Sequence, residues 1–402
     1  MMENRLKIGV MGLARGGFVL DAIQVISDIA YVSAVCETND SAIENYRKMF
    51  DPETKVYKDF DEFINSGLDG VVLCNYFHEH AKYAIKAFEA GVAVLCETTA
   101  AASLGECVDL VEAAERTNAK YMLAANSPYY RGVHAMKERI EKEVFGKVIY
   151  ADAEYIHPAG GMSKDAEMDY DNLHWRMTLP SCYYNMHTLG PLMYLTNTVP
   201  VKVVCKSAKA DLTYKITDCV KTFTITEMDN GAVFNSTGVV DVGSSGKWFR
   251  IACENGTLET ARYDQAGTKL VEVNHDSKEI KTLEFTWATC GDLTPEEDAK
   301  YGGLIGGKGH GGMDFILLYR FIKFLRGEEK PFFDVYRSVA LSAAGILAWY
   351  SSLSDSKEYV IPDFKKKEDR DKVRGDYRTP FAKKYSDLTL PCKVDGKLAD
   401  LK

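Results

Sequence analysis

In the first third of the chain, short apolar bursts alternate with amphipathic stretches. Lys7 to Gly17 reads KIGVMGLARGG, in which Ile8, Val10 and Leu13 alternate into a glycine cluster. An amphipathic run from Phe18 to Ile29 follows, so the pattern predicts a strand, a tight turn and a helix. A second apolar run, Tyr31 to Val35, predicts the next strand, and Ser41 to Phe50 a short helix. Val71 to Leu73 is wholly apolar and follows the turn residues Gly67, Asp69 and Gly70, which predicts a strand buried on both faces. Beyond it a helix runs through Ala90 to Gly91, and Ala93 to Leu95 repeats the strand pattern. Ser103 with Glu106 three residues on forms a capping box that opens a further helix, and Tyr121 to Ala124 is one more strand. Five or six strands alternating with helices predict an α/β unit, a doubly wound parallel Rossmann sheet, over residues 1–125.

The rhythm then changes. Tyr129 to Lys142 reads as a helix ending near Gly146. Period-two runs dominate afterwards: Val148 to Ile156, Val201 to Lys209, Cys219 to Met228, Ala232 to Val240 and Trp248 to Cys253. Asp229-Asn230-Gly231 and Asn255-Gly256 are hairpin signals. Residues 126–402 are therefore expected to form an α+β domain on a mainly antiparallel open sheet. Its two late helices, Met313 to Leu325 and Val335 to Ser352, would be free to pack back on the first domain.

Composition narrows the class. At 402 residues the chain can bury two cores, and 46% hydrophobic with 27% charged residues is ordinary for a soluble globular protein. A net charge of −9 argues against a nucleic-acid partner, which would need a basic footprint. No apolar run approaches the length of a membrane span, so a cytoplasmic protein is expected. The ten cysteines form no C-x-x-C pair and sit mostly in apolar runs, which suggests buried reduced thiols. The exposed face of the second sheet is a candidate dimerisation surface, and a homo-oligomer is expected.

The candidate chemistry begins at the first turn. Gly12, Ala14 and Gly17 occupy the three positions of G-x-G-x-x-G/A, with alanine at the place where backbone approaches a pyrophosphate. Gly12, Leu13, Ala14, Arg15, Gly16 and Gly17 are thus candidates to hold a dinucleotide. Glu37, at the end of the second strand, is placed to accept from ribose hydroxyls and to repel a 2′-phosphate, which favours NAD over NADP. Residues just beyond parallel strands face the ligand crevice, so Asn75, Tyr76, His80, Glu97, Thr98 and Asn126 join the cofactor list; for Asn75, Tyr76 and His80 the alternative is loop and cap chemistry. Arg176, after Trp175, could clamp the pyrophosphate, or the pair could be a packed indole with a surface salt bridge.

Removing a hydride from a ring carbon needs a group to take the hydroxyl proton, and histidine suits this at neutral pH. His187 lies in a polar patch, Tyr183 to Gly190, expected to open a helix. Tyr184 could donate to a developing alkoxide or orient the imidazole, and Tyr155 and Tyr183 are further candidates. Tyr129, His157 and His174 are candidates for substrate binding. Tyr301 to Gly312 holds seven glycines and could form a lid whose His310 and Asp314 reach the substrate. A metal site built from His157, His174, His187 and His310 lacks ligand spacing on any one element, so no metal is expected.

The order Rossmann half, helix, antiparallel sheet, together with VLCETTAA ending at Ala101, resembles the Gfo/Idh/MocA oxidoreductases. In that family this strand end usually reads Glu-Lys-Pro; here it reads Glu97-Thr98-Thr99, so the catalytic lysine is missing. Within the family the chain resembles the NAD-dependent α-N-acetylgalactosaminidases and their relatives without the lysine. The stretches that carry this are Val144 to His157, His174 to Arg176, Tyr183 to Leu192, Gly309 to Phe315 and Val360 to Phe364. The resemblance implies tightly held NAD and oxidation of a sugar's C3 hydroxyl. Elimination, water addition and return of the hydride would follow in the glycosidases. It implies roles for His187, on the Tyr184-x-x-His187 pattern, and for Tyr155. Where the glycosidases carry a sugar-contacting glutamate, this chain has Ala125. Three readings follow: an NAD-dependent sugar oxidoreductase, a redox-neutral glycoside hydrolase or lyase, and a non-catalytic NAD- or sugar-binding protein.

Overall fold

A computed structural model describes residues 5–158, 175–210, 217, 219–240, 243–262, 264, 267–291, 293–306 and 309–381. Six short strands form the first sheet: β1 (Leu6–Met11), β2 (Ala30–Cys36), β3 (Lys55–Tyr57), β4 (Gly70–Leu73), β5 (Ala93–Cys96) and β6 (Tyr121–Leu123). They pair in parallel in the order β3-β2-β1-β4-β5-β6, the doubly wound arrangement whose crevice opens beyond the carboxyl ends of the strands. Strands β4 and β5 are buried at every position, as their unbroken apolar runs predict. Leu13 belongs to the helix Leu13–Ile23 rather than to the strand. Gly12 turns the chain at φ 83°, and a Cβ there would lie 2.7 Å from the Cys74 carbonyl oxygen. Edge strand β3 and the helix Phe60–Ile64 were not anticipated; each is too short to carry a period.

The second sheet has nine strands: β7 (Val148–His157), β8 (Pro200–Lys209), β9 (Cys219–Met228), β10 (Val233–Val240), β11 (Gly246–Cys253), β12 (Gly256–Thr260), β13 (Lys269–Asn274), β14 (Ile280–Glu284) and β15 (Tyr359–Val360). Their order is β14-β13-β12-β11-β7-β10-β9-β8-β15. All neighbours are antiparallel except β7 and β10, which run parallel at the centre. Gly231, at φ 83°, closes the expected β9–β10 hairpin. Directly opposed residues of paired strands share a face. Tyr155 on β7 stands opposite Lys247 on β11, in line with Ala153 opposite Phe249 and Ala151 opposite Ile251. That face is covered, whereas Phe223, Ile225 and Val233 lie exposed.

Two late helices join the sheets. Met313–Leu325 packs on Leu13–Ile23, and Val335–Leu353, nearly all buried, packs on helix Leu104–Thr117, on β6 and on β8. Just before it, the Phe333 carbonyl accepts a hydrogen bond from the Leu123 N–H at the open edge of β6 (3.1 Å). Thr99 Oγ1 and Ser342 Oγ meet at 2.7 Å. The nine described cysteines are free and buried. Among the described residues no helix is long and apolar enough to cross a membrane, and no cluster of three metal-ligating side chains occurs.

Candidate active site

The first turn has the form of a dinucleotide cradle. Helix Leu13–Ile23 begins with no side-chain cap, and its first N–H, on Leu13, donates to Glu37 Oε2 at 2.8 Å. Glu37 Oε1 accepts from the Asn39 N–H at 2.8 Å, which fixes the carboxylate at the end of β2. A Cβ on Gly16 would fall 2.6 Å from Val10, and one on Gly17 2.4 Å from the Tyr46 ring, so both glycines let the helix lie close to its neighbours. Ala14 is exposed, and its methyl costs no helix packing. Asn75, beyond β4, keeps a buried side-chain oxygen without a hydrogen-bond partner among the described residues. The residues therefore fit a dinucleotide: a Cβ-free turn, the positive end of a helix, a fixed ribose acceptor and a spare polar group at the next strand end.

Two cofactor candidates lie less directly in that cradle. His80 is buried with its ring between two backbone carbonyls, Nδ1 at 2.8 Å from that of Thr99 and Nε2 at 3.2 Å from that of Asn75. Burial pulls its pKa down to about 4, against the pull of those carbonyls. It ties the ends of β4 and β5 together, which is the loop chemistry weighed as its alternative. Tyr76 is about half exposed and stacks on His78.

Arg15 reaches from the turn toward the centre of the molecule. Its Nε donates to Glu97 Oε1 at 2.8 Å, and its two terminal nitrogens donate to the Asp314 carboxylate at 2.8 and 3.1 Å. Asp314 is fully buried and also receives His310 Nδ1 at 2.8 Å and Asn126 Nδ2 at 3.1 Å. Burial alone would raise its pKa, but the hydrogen bonds from His310 and Arg15 hold it well below the usual carboxylate range. For Arg15 burial opposes the charge, and Glu97 and Asp314 more than offset that, so its pKa is raised. The Gly309 backbone is at φ 56°, and a Cβ there would lie 2.4 Å from Asp314 Oδ2. His310 and Asp314 thus lock the glycine-rich segment to the cofactor turn. Tyr301 and Ile305 in that segment are buried.

Next to this network lies the His187 cluster. His187 sits at the end of a 3-10 segment, Ser181–His187, one residue before the helix Leu189–Thr196 is capped, rather than inside its first turn. Its Nδ1 is 2.7 Å from Ser127 Oγ, leaving Nε2 without a partner among the described residues. The Tyr155 ring stacks on the imidazole at 4.2 Å and the Tyr184 ring meets it edge-on at 4.7 Å. Burial first, and then the positive charges of Lys247, His157, His310 and Arg15, drive the His187 pKa well below its ordinary value. His157 lies edge-on to Tyr155 and Tyr184. Trp175 stacks on Phe77 at 4.8 Å, with the Arg176 guanidinium 4.3 Å above the indole.

Some candidates stand elsewhere. The rings packed on His187 are those of Tyr155 and Tyr184, whereas Tyr183 is buried with its ring edge-on to Phe381. Its backbone lies on the far side of the Tyr184 kink, a separation that adjacency in sequence does not reveal. Tyr129 belongs to an aromatic group with His134 and Tyr194, under the Arg320 guanidinium. Thr98 is buried, with its N–H on Glu97 Oε2 at 3.3 Å. His174 lies outside the described residues.

Two functional-looking residues escaped sequence reading. Ser127 holds the His187 ring through its Nδ1 and sits one residue past a candidate. Lys247 is the second residue of β11, and its ammonium lies 4.3 Å over the Tyr130 ring and 5.6 Å from that of Tyr155. The strand was read as beginning at Trp248; one residue more would have put a lysine on the face of Phe249, Ile251 and Cys253, a visible break in an apolar row.

The doubly wound sheet, its glycine turn and the acid fixed at the end of β2 are those of an NAD-binding fold. Residues 6–125 match the oxidoreductase-family NAD-binding Rossmann fold of Gfo/Idh/MocA type, and residues 209–370 match the C-terminal domain of glycosyl hydrolase 109. Curated relatives match along most of their length. A glycosyl hydrolase family 109 protein of Stenotrophomonas maltophilia is 24% identical over 90% of this chain and 89% of its own length. An α-N-acetylgalactosaminidase of Shewanella oneidensis is 24% identical over 89% of this chain and 85% of its own. Among solved structures, levoglucosan dehydrogenase in complex with NADH and L-sorbose superposes with a TM-score of 0.74 at 17% identity, over 90% of this chain and 100% of that one.

Proposed function

We propose that the protein uses NAD to oxidise a ring hydroxyl, at C3, of a sugar or glycoside. The observation that carries this reading is the convergence of the dinucleotide turn, through Arg15 and Asp314, with the buried polar cluster of His187, Tyr155 and Tyr184. Gly12 to Gly17, Glu37 and Asn75 would hold the dinucleotide, which supplies the two-electron acceptor. Ser127 holds Nδ1 of His187, so Nε2 is the nitrogen offered to a substrate hydroxyl. Tyr155 and Tyr184 wall the imidazole and turn their faces and edges to a sugar ring, a surface that suits its C–H groups. Buried donors need not reorganise as charge develops on the substrate oxygen, which is where such a site gains rate.

The match of residues 209–370 to the glycosyl hydrolase 109 domain favours a second reading, in which the oxidation labilises the glycosidic bond and the hydride is returned. Incubating the protein with NAD and a panel of glycosides separates the two. Stoichiometric NADH and a keto sugar, by absorbance and mass spectrometry, are expected for net oxidation. Free aglycone without an external acceptor marks the redox-neutral route. A protein that binds NAD and a sugar yet gives neither product would be a binding protein.

A further inference from the structure

We propose that Lys247 receives the substrate's hydroxyl proton, reaching from the second sheet into the site where the strand end after Glu97 offers only Thr98. The proposal rests on the sugar-oxidation reading and names the proton acceptor within it.

The placement follows from strand register. Lys247 stands directly across from Tyr155, and Tyr155 stacks on His187 at 4.2 Å. The ammonium lies over the faces of Tyr130 and Tyr155, at 4.3 and 5.6 Å, on the side of the sheet whose next members, Phe249 and Ile251, are buried core. Among the described residues no carboxylate pairs with it. The acid whose charge reaches it, Asp314, already holds Arg15, His310 and Asn126. Lys247 is half-buried; the two ring faces favour its ammonium, while desolvation, the nearby Arg15 and the lack of a paired carboxylate disfavour it and prevail.

The groups facing it from each packed element divide the work. Burial, reinforced by Arg15 and opposed by Asp314, brings the Lys247 pKa down to about 7. Tyr130 and Tyr155 are pushed up, chiefly by burial, and do not ionise near neutrality. His187 is pushed far down and holds a proton poorly. Arg15 does not give up its proton. Lys247 is therefore the neighbour matched to exchange a proton at neutral pH, where general bases work best. In the step, the neutral amine takes the hydroxyl proton and the O–H electron pair becomes the second C–O bond. The carbon's hydrogen leaves with its own pair for the oxidised nicotinamide. The resulting ammonium then faces the carbonyl oxygen and can return the proton when the hydride comes back.

Two measurements test this. The first is trace acylation of Lys247 against pH in the NAD-loaded protein without sugar, read by peptide mass spectrometry. A midpoint near about 7 is expected, and one near the ordinary value of about 10.4 overturns the proposal. The second compares Lys247→Ala and Lys247→Arg with the wild type on a sugar that reduces NAD. Both variants should bind NAD as before and lose about a hundredfold or more in kcat. The acid limb of the pH profile should vanish, and added methylamine should restore part of the Lys247→Ala rate. The arginine variant keeps charge and bulk, so it guards against a folding defect. An active wild type with unaffected variants sinks the Lys247 proposal alone, whereas a wild type inert toward every sugar sinks the oxidation reading and the proposal with it.

Discussion

Replacing Asp314 with Asn probes the junction on which the site depends. The wild-type carboxylate accepts four contacts: two from Arg15, one from His310 Nδ1 and one from Asn126 Nδ2. An amide keeps one oxygen and puts an NH2 against donors on the other side, so about two charge-assisted hydrogen bonds are lost, at roughly 1.5–3 kcal/mol each. Arg15 retains Glu97 and is a third exposed, which lowers the loss. The expected destabilisation is about 3 kcal/mol. In urea, with a slope of about 3 kcal/mol/M, the midpoint should fall by about 1 M at neutral pH without a change of slope. The pH dependence has a definite sign. A carboxylate whose folded pKa is depressed stabilises the fold above its unfolded value, about 3.9, and loses that contribution as pH falls below it. The wild type's lead over Asp314→Asn should therefore shrink below about pH 4. Equal midpoints at neutral pH, or a lead that persists undiminished into acid, would refute the reasoning.

Other substitutions probe the cradle and the cluster. Gly12→Ala places a methyl 2.7 Å from a carbonyl oxygen at a left-handed φ, so it should cost about 1–3 kcal/mol and weaken NAD binding at least about tenfold by fluorescence titration. His80 is held neutral, with its pKa below the unfolded value of about 6.5. Stability should be full above that pH and should decline by up to about 3 kcal/mol as pH falls toward 4; a His80→Gln variant should lack this slope in urea titrations at several pH values. His187→Ala should bind NAD normally and lose at least about tenfold in turnover of a sugar substrate, the scale of one hydrogen bond to the reacting hydroxyl; full turnover would remove the imidazole from the chemistry.

Long periodic segments were readable from the chain, because side-chain spacing alone fixes them. Cys219–Met228 and Met313–Leu325 stand where the hydrophobic pattern put them. Strand β12 shows in the sequence only through the Asn255-Gly256 turn before it, and β13 and β14 not at all: these strands are short, and outside a few apolar positions they carry charges and threonines that read equally well as loop. The dinucleotide turn was legible because glycine is demanded there by geometry. The partners of Arg15 were not, since Glu97 and Asp314 come from distant elements whose meeting depends on how the late helix crosses the first. Likewise His187 stood out as a residue type, but the stacking of Tyr155 and the approach of Lys247 are matters of strand register, which no local pattern encodes.

The hydrogen bond between Leu123 and Phe333 sets an order of events on the ribosome. The parallel sheet is synthesised first, yet the carbonyl that closes its last edge and the helix that roofs β6 emerge only after strands β7 to β14 of the second sheet have been made. A nascent chain halted before residue 333 carries a finished strand order with one flank bare, the kind of edge that invites mispairing. An amino-terminal portion made without residues 333–353 is therefore expected to leave the β6 flank uncovered.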